Sequence, residues 1–427
     1  MSPVPEYSII GKSVQRVDGP QKVSGQAQYA ADLDIPGALC LKVLRSKVAH
    51  ALLKEIDVSE ALKVPGVVQI FTHTDIPGIN SYGIIFKDQP ALTNKVRFKG
   101  DAIALVAAED EASANIALRL IKVNFEELPP VYDVRVAMGA DAPAIHDTGN
   151  ILSVYRIKKG DVESALNQAD VVIPRSYTTQ RIEHCYIETE AGVAYMDNDM
   201  LVIKAGTQNP HYDRRDVARV LGLAMNKVRI IQTTTGGGFG GKLDISVQCF
   251  LGLAAIKLGR PVRMAYDRGE SFVATGKRHP FLIDYTTAAN KNGKLLAVKV
   301  RIVGDTGAYA SYGSATLLRA AVHATGPYEI PNVDVEAFCV YTNNPFSGAM
   351  RGFGTPQMAF ACESQMDLVA QAVNISPVEV RRRNILQEGA LTATQQKLNS
   401  SIGIGKTLEA AWEKALQVMP GLGDENR

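Results

Sequence analysis

Two glycine-rich segments, far apart in the chain, carry the residue types best suited to holding a ligand. The first reads Gly236-Gly237-Gly238-Phe239-Gly240-Gly241-Lys242 and follows a strand-like stretch, Val228 to Gln232, and three threonines, Thr233 to Thr235. Glycine lets the backbone turn sharply and approach a bound group with no side chain in the way. A helix is expected directly after it, over Asp244 to Leu258, and a helix start adds unpaired N–H groups and the positive end of a dipole. An anionic group would be at home there. The second segment reads Gly348-Ala349-Met350-Arg351-Gly352-Phe353-Gly354-Thr355-Pro356-Gln357 and leads into an apolar helix expected over Gln357 to Val373. Each Phe taken separately reads best as ordinary core. Together, with Arg351 beside them, two such loops suit one anionic or planar ligand.

Two nucleotide-binding patterns are formally matched by the first segment, and both weaken on inspection. Gly236, Gly238 and Gly241 satisfy GxGxxG, and Gly236 to Lys242 satisfies GxxxxGK. The residue after the lysine is Leu243, so the hydroxyl that would ligate Mg²⁺ is missing. The dinucleotide pattern requires a βαβ unit with an acidic residue about 20 positions on. Asp267 comes late for that, and residues 281 to 304 read as a hairpin. A purely structural glycine turn stays open as an alternative.

The elements that must position these loops fall into two units. Residues 1–145 read as a mixed unit, with an apolar strand within Val96 to Ala108, a helix from Asp110 to Leu118 and a strand from Ile121 to Phe125. Leu128-Pro129-Pro130 breaks that pattern, since neither proline has an N–H to donate. A polar stretch, His146 to Asn150, makes a linker. The second unit, 150–427, opens with strands Val171 to Tyr177 and Ala191 to Tyr195 and contains helices Tyr212 to Leu223 and Thr407 to Val418. In its hairpin Phe281, Ile283 and Tyr285 alternate, Asn292-Gly293 turns, and Leu296, Val298, Val300 and Ile302 alternate on return. Strands and helices without regular alternation predict an α+β fold rather than a doubly wound sheet.

Composition excludes more than it asserts. The 427 residues are 46% hydrophobic, and 46 basic against 44 acidic residues leave a net charge of +2 without blocks. That is no nucleic-acid stripe. No apolar run approaches the roughly 20 residues that a bilayer requires, and Met1 to Ile10 lacks the pattern of an export signal. Five scattered cysteines, Cys40, Cys185, Cys249, Cys339 and Cys362, form no CxxC pair, which argues against an iron–sulfur cluster in this chain and for buried, reduced thiols in a cytoplasmic protein.

The two Gly-Phe-Gly loops resemble the signature loops of the molybdenum hydroxylases, the family of xanthine dehydrogenase, aldehyde oxidoreductase and carbon monoxide dehydrogenase. The likeness runs over about residues 10 to 403. Ser13 to Pro36, with Val17-Asp18 and Val23-Ser24-Gly25, and Val96 to Ala108 are similar to the family's opening a/b hammerhead domain. His184 to Thr189, Thr207-Gln208, Pro261 to Gly276, Gly304 to Ala310 and Arg381-Arg382-Arg383-Asn384 continue it in the family's order. The implied architecture is a hammerhead-like domain followed by a mixed α+β molybdopterin-binding domain, with a second such domain on a partner chain.

The resemblance also implies a cofactor and roles. Molybdenum would be held by the dithiolene of a pterin, in the cytosine dinucleotide form, rather than by protein ligands. Gln208 would donate to an oxygen on the metal, and Gly237, Gly238, Phe239 and Gly240 would line metal and pterin. Ala349, Met350 and Arg351 would close the cradle, with Phe353 against the substrate ring and Arg319 on the substrate. Duller roles remain: Gln208 as a buried amide capping Asn209-Pro210, Arg351 as a structural ion pair. His184 and Glu188 read as a structural hydrogen-bonded pair. The implied reaction is hydroxylation of an electron-poor ring carbon with water as oxygen source. The glutamate base of the family matches no residue here and is expected on a partner chain, so this chain alone should not turn over. A 2Fe-2S subunit, an FAD subunit and NAD(P) as acceptor are the further partners expected. A molybdenum subunit divided over two chains is a feature of bacterial nicotinate-oxidising members. Leu243 stands where purine-oxidising members place a glutamate, so nicotinate conversion to 6-hydroxynicotinate is the expectation. An aldehyde or purine substrate, or a non-catalytic cofactor carrier, is the alternative.

Overall fold

The computed structural model describes residues 7–419 and 421. The reading of Met1 to Ile10 as lacking a leader therefore falls in part on residues outside the described ones. Six strands come from the first unit: β1 (Leu39–Arg45), β2 (Ala51–Asp57), β3 (Val67–Phe71), β4 (Lys95–Val96), β5 (Ala102–Ala108) and β6 (Lys122–Glu127). Nine follow: β7 (Ile151–Lys159), β8 (Val171–Thr178), β9 (Ala191–Asp197), β10 (Met200–Ala205), β11 (Val228–Gln232), β12 (Val262–Ala265), β13 (Phe281–Ala289), β14 (Leu295–Gly307) and β15 (Asn332–Tyr341).

These strands form three sheets in the order β11-β10-β9-β12-β1-β5-β3, β7-β15-β14-β13-β8 and β4-β2-β6. The fold is α+β with a hammerhead-type opening, as expected. The seven-stranded sheet, however, is common property. Parallel pairing of Leu39 with Val262 and Cys40 with Arg263 joins β1 of the first unit to β12 of the second. The stretch read as a linker is likewise built in. His146 and Asn150 are buried, His146 Nε2 bonds the Ala308 carbonyl at 2.7 Å, and the Asn150 amide donates to the carbonyls of Ala137 and Pro143. Asp147 and Thr148 between them are exposed, so the stretch is a surface turn pinned at both ends by buried polar side chains.

Two apolar cores back the two large sheets. Beneath the seven-stranded sheet lie the helices Pro210–Leu221 and Gln248–Leu258, and Cys249 to Ala255 are all buried. The run is apolar on every side because sheet and helix both cover it. Against the five-stranded sheet pack the helices Gly313–Val322 and Thr355–Ala372. The hairpin expectation holds. β13 and β14 pair antiparallel with Ile283 opposite Ile302 and Tyr285 opposite Val300, and Gly293 takes the left-handed conformation (φ +72°) that closes the turn. Among the described residues, no helix is long and apolar enough to cross a membrane. The cysteine expectation needs one correction. Four thiols are buried, but Cys185 is exposed and has a φ of +52°.

Candidate cofactor site

The first glycine loop leaves β11, which belongs to the seven-stranded sheet. The second loop leads into the helix Thr355–Ala372 on the five-stranded sheet. The loops meet. Arg351 N–H donates to the Phe239 carbonyl at 2.9 Å, and a Cβ added to Gly240 would lie 2.6 Å from the Ala349 oxygen and 3.1 Å from Met350 Cα. Only a glycine permits that approach. The loops also share a backbone shape. Phe239 and Phe353 both have φ of +52°, and the glycines that follow them, Gly240 and Gly354, have φ of +103° and +91°. A left-handed phenylalanine costs on the order of 1–2 kcal/mol, so the surrounding contacts must enforce it.

The loop is not followed directly by a helix. A short 3-10 turn, Gly241–Leu243, comes first, and the helix begins only at Gln248. Two side chains between the loop and the helix turn inward. Lys242, 3% exposed, pairs with Glu188 at 2.6 Å, and Asp244 accepts from the Ser311 hydroxyl at 2.8 Å. The helix dipole therefore does not serve the loop. Nor does Lys242 face a ligand, which removes the triphosphate reading on geometric grounds.

Loop N–H groups take over the role expected of the helix start. No acceptor among the described residues takes the N–H of Gly237, Gly238 or Phe239. Successive unpaired N–H groups in a turn form an anion-binding concavity. Gln208 is exposed, and its Oε1 accepts from Gly240 N–H at 3.0 Å and Lys242 N–H at 3.3 Å. Two backbone donors fix the amide's orientation, so its NH₂ end points away from the loop backbone. The capping alternative fails: Asn209 N–H is served by the Thr207 hydroxyl at 3.0 Å. Arg351 is exposed and has no ion pair among the described residues, which removes its structural alternative. Its carbonyl accepts from Arg278 at 3.0 Å. Unpaired amides, an outward amide NH₂ and a free guanidinium fit an anionic, oxygen-rich cofactor of the pterin type.

Phe353 and Arg319 are brought together beside the loops. The Arg319 guanidinium lies 5.7 Å from the Phe353 ring centroid. Tyr312 meets that ring edge-on at 5.7 Å, and the Tyr312 hydroxyl accepts from Asn209 at 3.0 Å. Tyr312 and Asn209 thus link Phe353 to the neighbour of Gln208. Sequence reasoning missed Tyr312, since a tyrosine before an apolar helix gives no local signal.

His184 and Glu188 do not form the pair expected of them. His184 Nε2 contacts the Ala349 carbonyl at 2.8 Å. Burial pushes its pKa down, so a neutral ring with Nε2–H as donor supports the second loop. Glu188 accepts instead from Gly236 N–H at 2.7 Å and Lys242 in the first loop. The segment 183–190 is a post between the loops, with Tyr186 and Glu190 hydrogen-bonded in its interior. Burial raises the Tyr186 pKa strongly, keeping the phenol neutral.

Comparison with known proteins agrees with this geometry. A model described as a molybdopterin cofactor-binding domain matches residues 145–385, and one described as the a/b hammerhead domain of aldehyde oxidase and xanthine dehydrogenase matches 24–129. The nicotinate dehydrogenase large molybdopterin subunit of Eubacterium barkeri is 48% identical over 97% of this chain and 98% of its own. The xanthine dehydrogenase molybdenum-binding subunit of Escherichia coli O157:H7 is 36% identical over 93% of this chain and 56% of its own. Among solved structures, aldehyde oxidoreductase from Desulfovibrio gigas superposes with a TM-score of 0.91 at 32% identity, covering 96% of this chain and 47% of that one. Quinoline 2-oxidoreductase from Pseudomonas putida 86 gives a TM-score of 0.89 at 28% identity, over 97% and 55%. The chain spans nearly all of the first relative and about half of the other three. With both domain models matched in order and the two loops in contact, the chain belongs to the xanthine dehydrogenase family of molybdenum hydroxylases and is a molybdopterin-binding chain of that family.

Proposed function

We propose that this chain is the molybdopterin-binding subunit of a multi-subunit enzyme that hydroxylates nicotinate to 6-hydroxynicotinate with oxygen from water. The observation that carries the substrate class is the pairing of Arg319 with Phe353 at 5.7 Å beside the joined loops. A flat ring with a carboxylate would stack on Phe353 and pair with the guanidinium. Leu243 follows Lys242 in the glycine loop, and an aliphatic side chain there offers a purine no hydrogen bond. The name of the Eubacterium barkeri relative supports the same acid.

The residues divide the work as follows. Gly237, Gly238 and Phe239 would present N–H groups to the cofactor, Gln208 would donate its amide to an oxygen on it, and Ala349, Met350 and Arg351 would hold its other side. When bound, the cofactor, proposed in its cytosine dinucleotide form, would supply oxygen-transfer and two-electron redox chemistry. This chain's share is orientation of the acid and preorganised donors aimed where negative charge develops. The proton would be taken by a glutamate of a partner molybdopterin chain, and electrons would leave through 2Fe-2S and FAD subunits to NAD(P), in the cytoplasm.

Metal and nucleotide analysis of the complex that co-purifies with the chain tests this. The expectation is molybdenum and CMP in equal amounts, turnover of nicotinate by the complex and none by the isolated chain. Bound triphosphate, or turnover of xanthine in preference to nicotinate, would refute the reading.

A further inference from the structure

Glu188 gathers three donors from two separated parts of the chain, both ends of the glycine loop and the N-terminal segment. Its Oε2 accepts from Lys242 Nζ at 2.6 Å and Gly236 N–H at 2.7 Å, while its Oε1 accepts from Ala30 N–H at 3.2 Å. Its own N–H donates to the Gly236 carbonyl at 3.2 Å. The paired side chains are 1% (Lys242) and 8% (Glu188) exposed. There is no slack around them. A Cβ on Gly236 would lie 2.5 Å from Glu188 Cβ, and one on Gly206 would lie 3.2 Å from Glu188 Oε2.

Ala30 belongs to the N-terminal segment, and nearly all of residues 7–29 before it are exposed. Ala30 is where that segment becomes buried, at 2% exposure. Next to it, Tyr29 makes a parallel bridge to Thr234, and its ring carbon Cε1 lies 3.4 Å from where a Gly236 Cβ would be. The segment thus seats against the entrance of the glycine loop, and Gly236 and Lys242 bracket that loop. A buried pair of this kind is weak evidence for stability, because apolar residues of similar volume often hold a fold as well. Its directed bonds to both ends of the loop and to a separate segment call for another role.

We propose that Glu188 is a positioning residue that ties presentation of the loop N–H groups of Gly237 to Phe239 to the seating of the N-terminal segment at Ala30. The proposal rests on the reading of those N–H groups as facing the cofactor. With Ala30 seated, both carboxylate oxygens are fixed and one is aimed at Gly236. With the segment lifted, the carboxylate loses a donor and the loop loses a restraint.

Ala30→Pro tests this by deleting one N–H. Tyr29 is extended (φ −93°, ψ 170°), which suits a residue before proline, and the first position of a helical turn tolerates it. Amide hydrogen exchange on the full chain is read at Gly236, Gly240 and Lys242, with the helix Gln248–Leu258 as reference. Loss of one charge-assisted restraint should speed loop exchange by about tenfold and leave the helix unchanged. Glu188→Gln combined with Lys242→Met, a neutral pair of similar size, provides the second arm if Ala30→Pro does not fold, and should give the same acceleration. In the assembled complex, molybdenum and CMP per chain should fall in both variants. Unchanged loop exchange in a folded variant overturns the positioning role. Faster loop exchange with full cofactor content keeps that role and overturns the reading of the loop as cofactor-facing.

Discussion

At the scale of single residues, the site depends on groups whose polar ends are left over once the fold is satisfied. Gln208 gives its oxygen to the loop backbone and keeps its NH₂. Arg351 gives its backbone N–H to Phe239 and keeps its guanidinium. Arg319 lies against a ring rather than an acid, so its charge remains available to a substrate carboxylate. Replacing it with alanine should raise KM for nicotinate roughly tenfold or more, the cost of a hydrogen bond to a charged group. KM for a neutral pyridine amide should change little. Steady-state kinetics of the assembled enzyme on both compounds checks this, and an unchanged KM for the acid removes Arg319 from the substrate site.

At the scale of elements, the two loops are one structure made from two sequence segments. Gly240 is its closest point, with φ of +103° and the Ala349 carbonyl 2.6 Å from where a Cβ would sit. Gly240→Ala should therefore cost about 1–3 kcal/mol in backbone strain and push the second loop away. Lower molybdenum content and a lower Tm, both measured on the purified complex, are the expected outcomes. The joint between the helices Pro210–Leu221 and Gln248–Leu258 gives a pH prediction. Burial pushes the Asp213 pKa from 3.8 up to about 7, with only Gln248 at 3.2 Å and Thr207 opposing it. Below pH 3.8 the acid is neutral in both folded and unfolded chains and contributes no pH dependence. Between 3.8 and about 7 the folded chain holds the proton that the unfolded chain has released, so stability falls as pH rises. Asp213→Asn removes this loss. Its unfolding free energy should exceed that of the unmodified protein increasingly from pH 5 to about 7 and level off above, at a difference on the order of a few kcal/mol, seen as a growing gap in Tm. A Tm difference that does not vary with pH would count against it.

At the scale of the whole molecule, each glycine loop is anchored in a different core, and the site lies where the two cores meet. The seven-stranded sheet draws strands from both sequence units. Seating of the first unit and shape of the first loop are therefore not independent. The exposed side of the site, with Phe239 at 51% exposure, is the face that a second molybdopterin chain would cover under the proposed function. Under that proposal the partner chain's glutamate would approach from this face.

The sequence by itself determined the local parts: the hairpin from its alternation, both glycine loops from their spacing, and the family from the order of motifs. Backbone conformation within a short window is set by nearby residues, and such windows can be read directly. Partner choice cannot be read that way. Only the folded chain decided that His184 and Glu188 each serve a different loop, that Lys242 turns inward while the helix starts only at Gln248, and that His146 and Asn150 are buried anchors at the ends of the stretch read as a linker. Each of these rests on contacts between residues remote in sequence. A buried polar or charged group must find its partner wherever the packed elements bring one within reach, because leaving it unpaired costs more than any local preference.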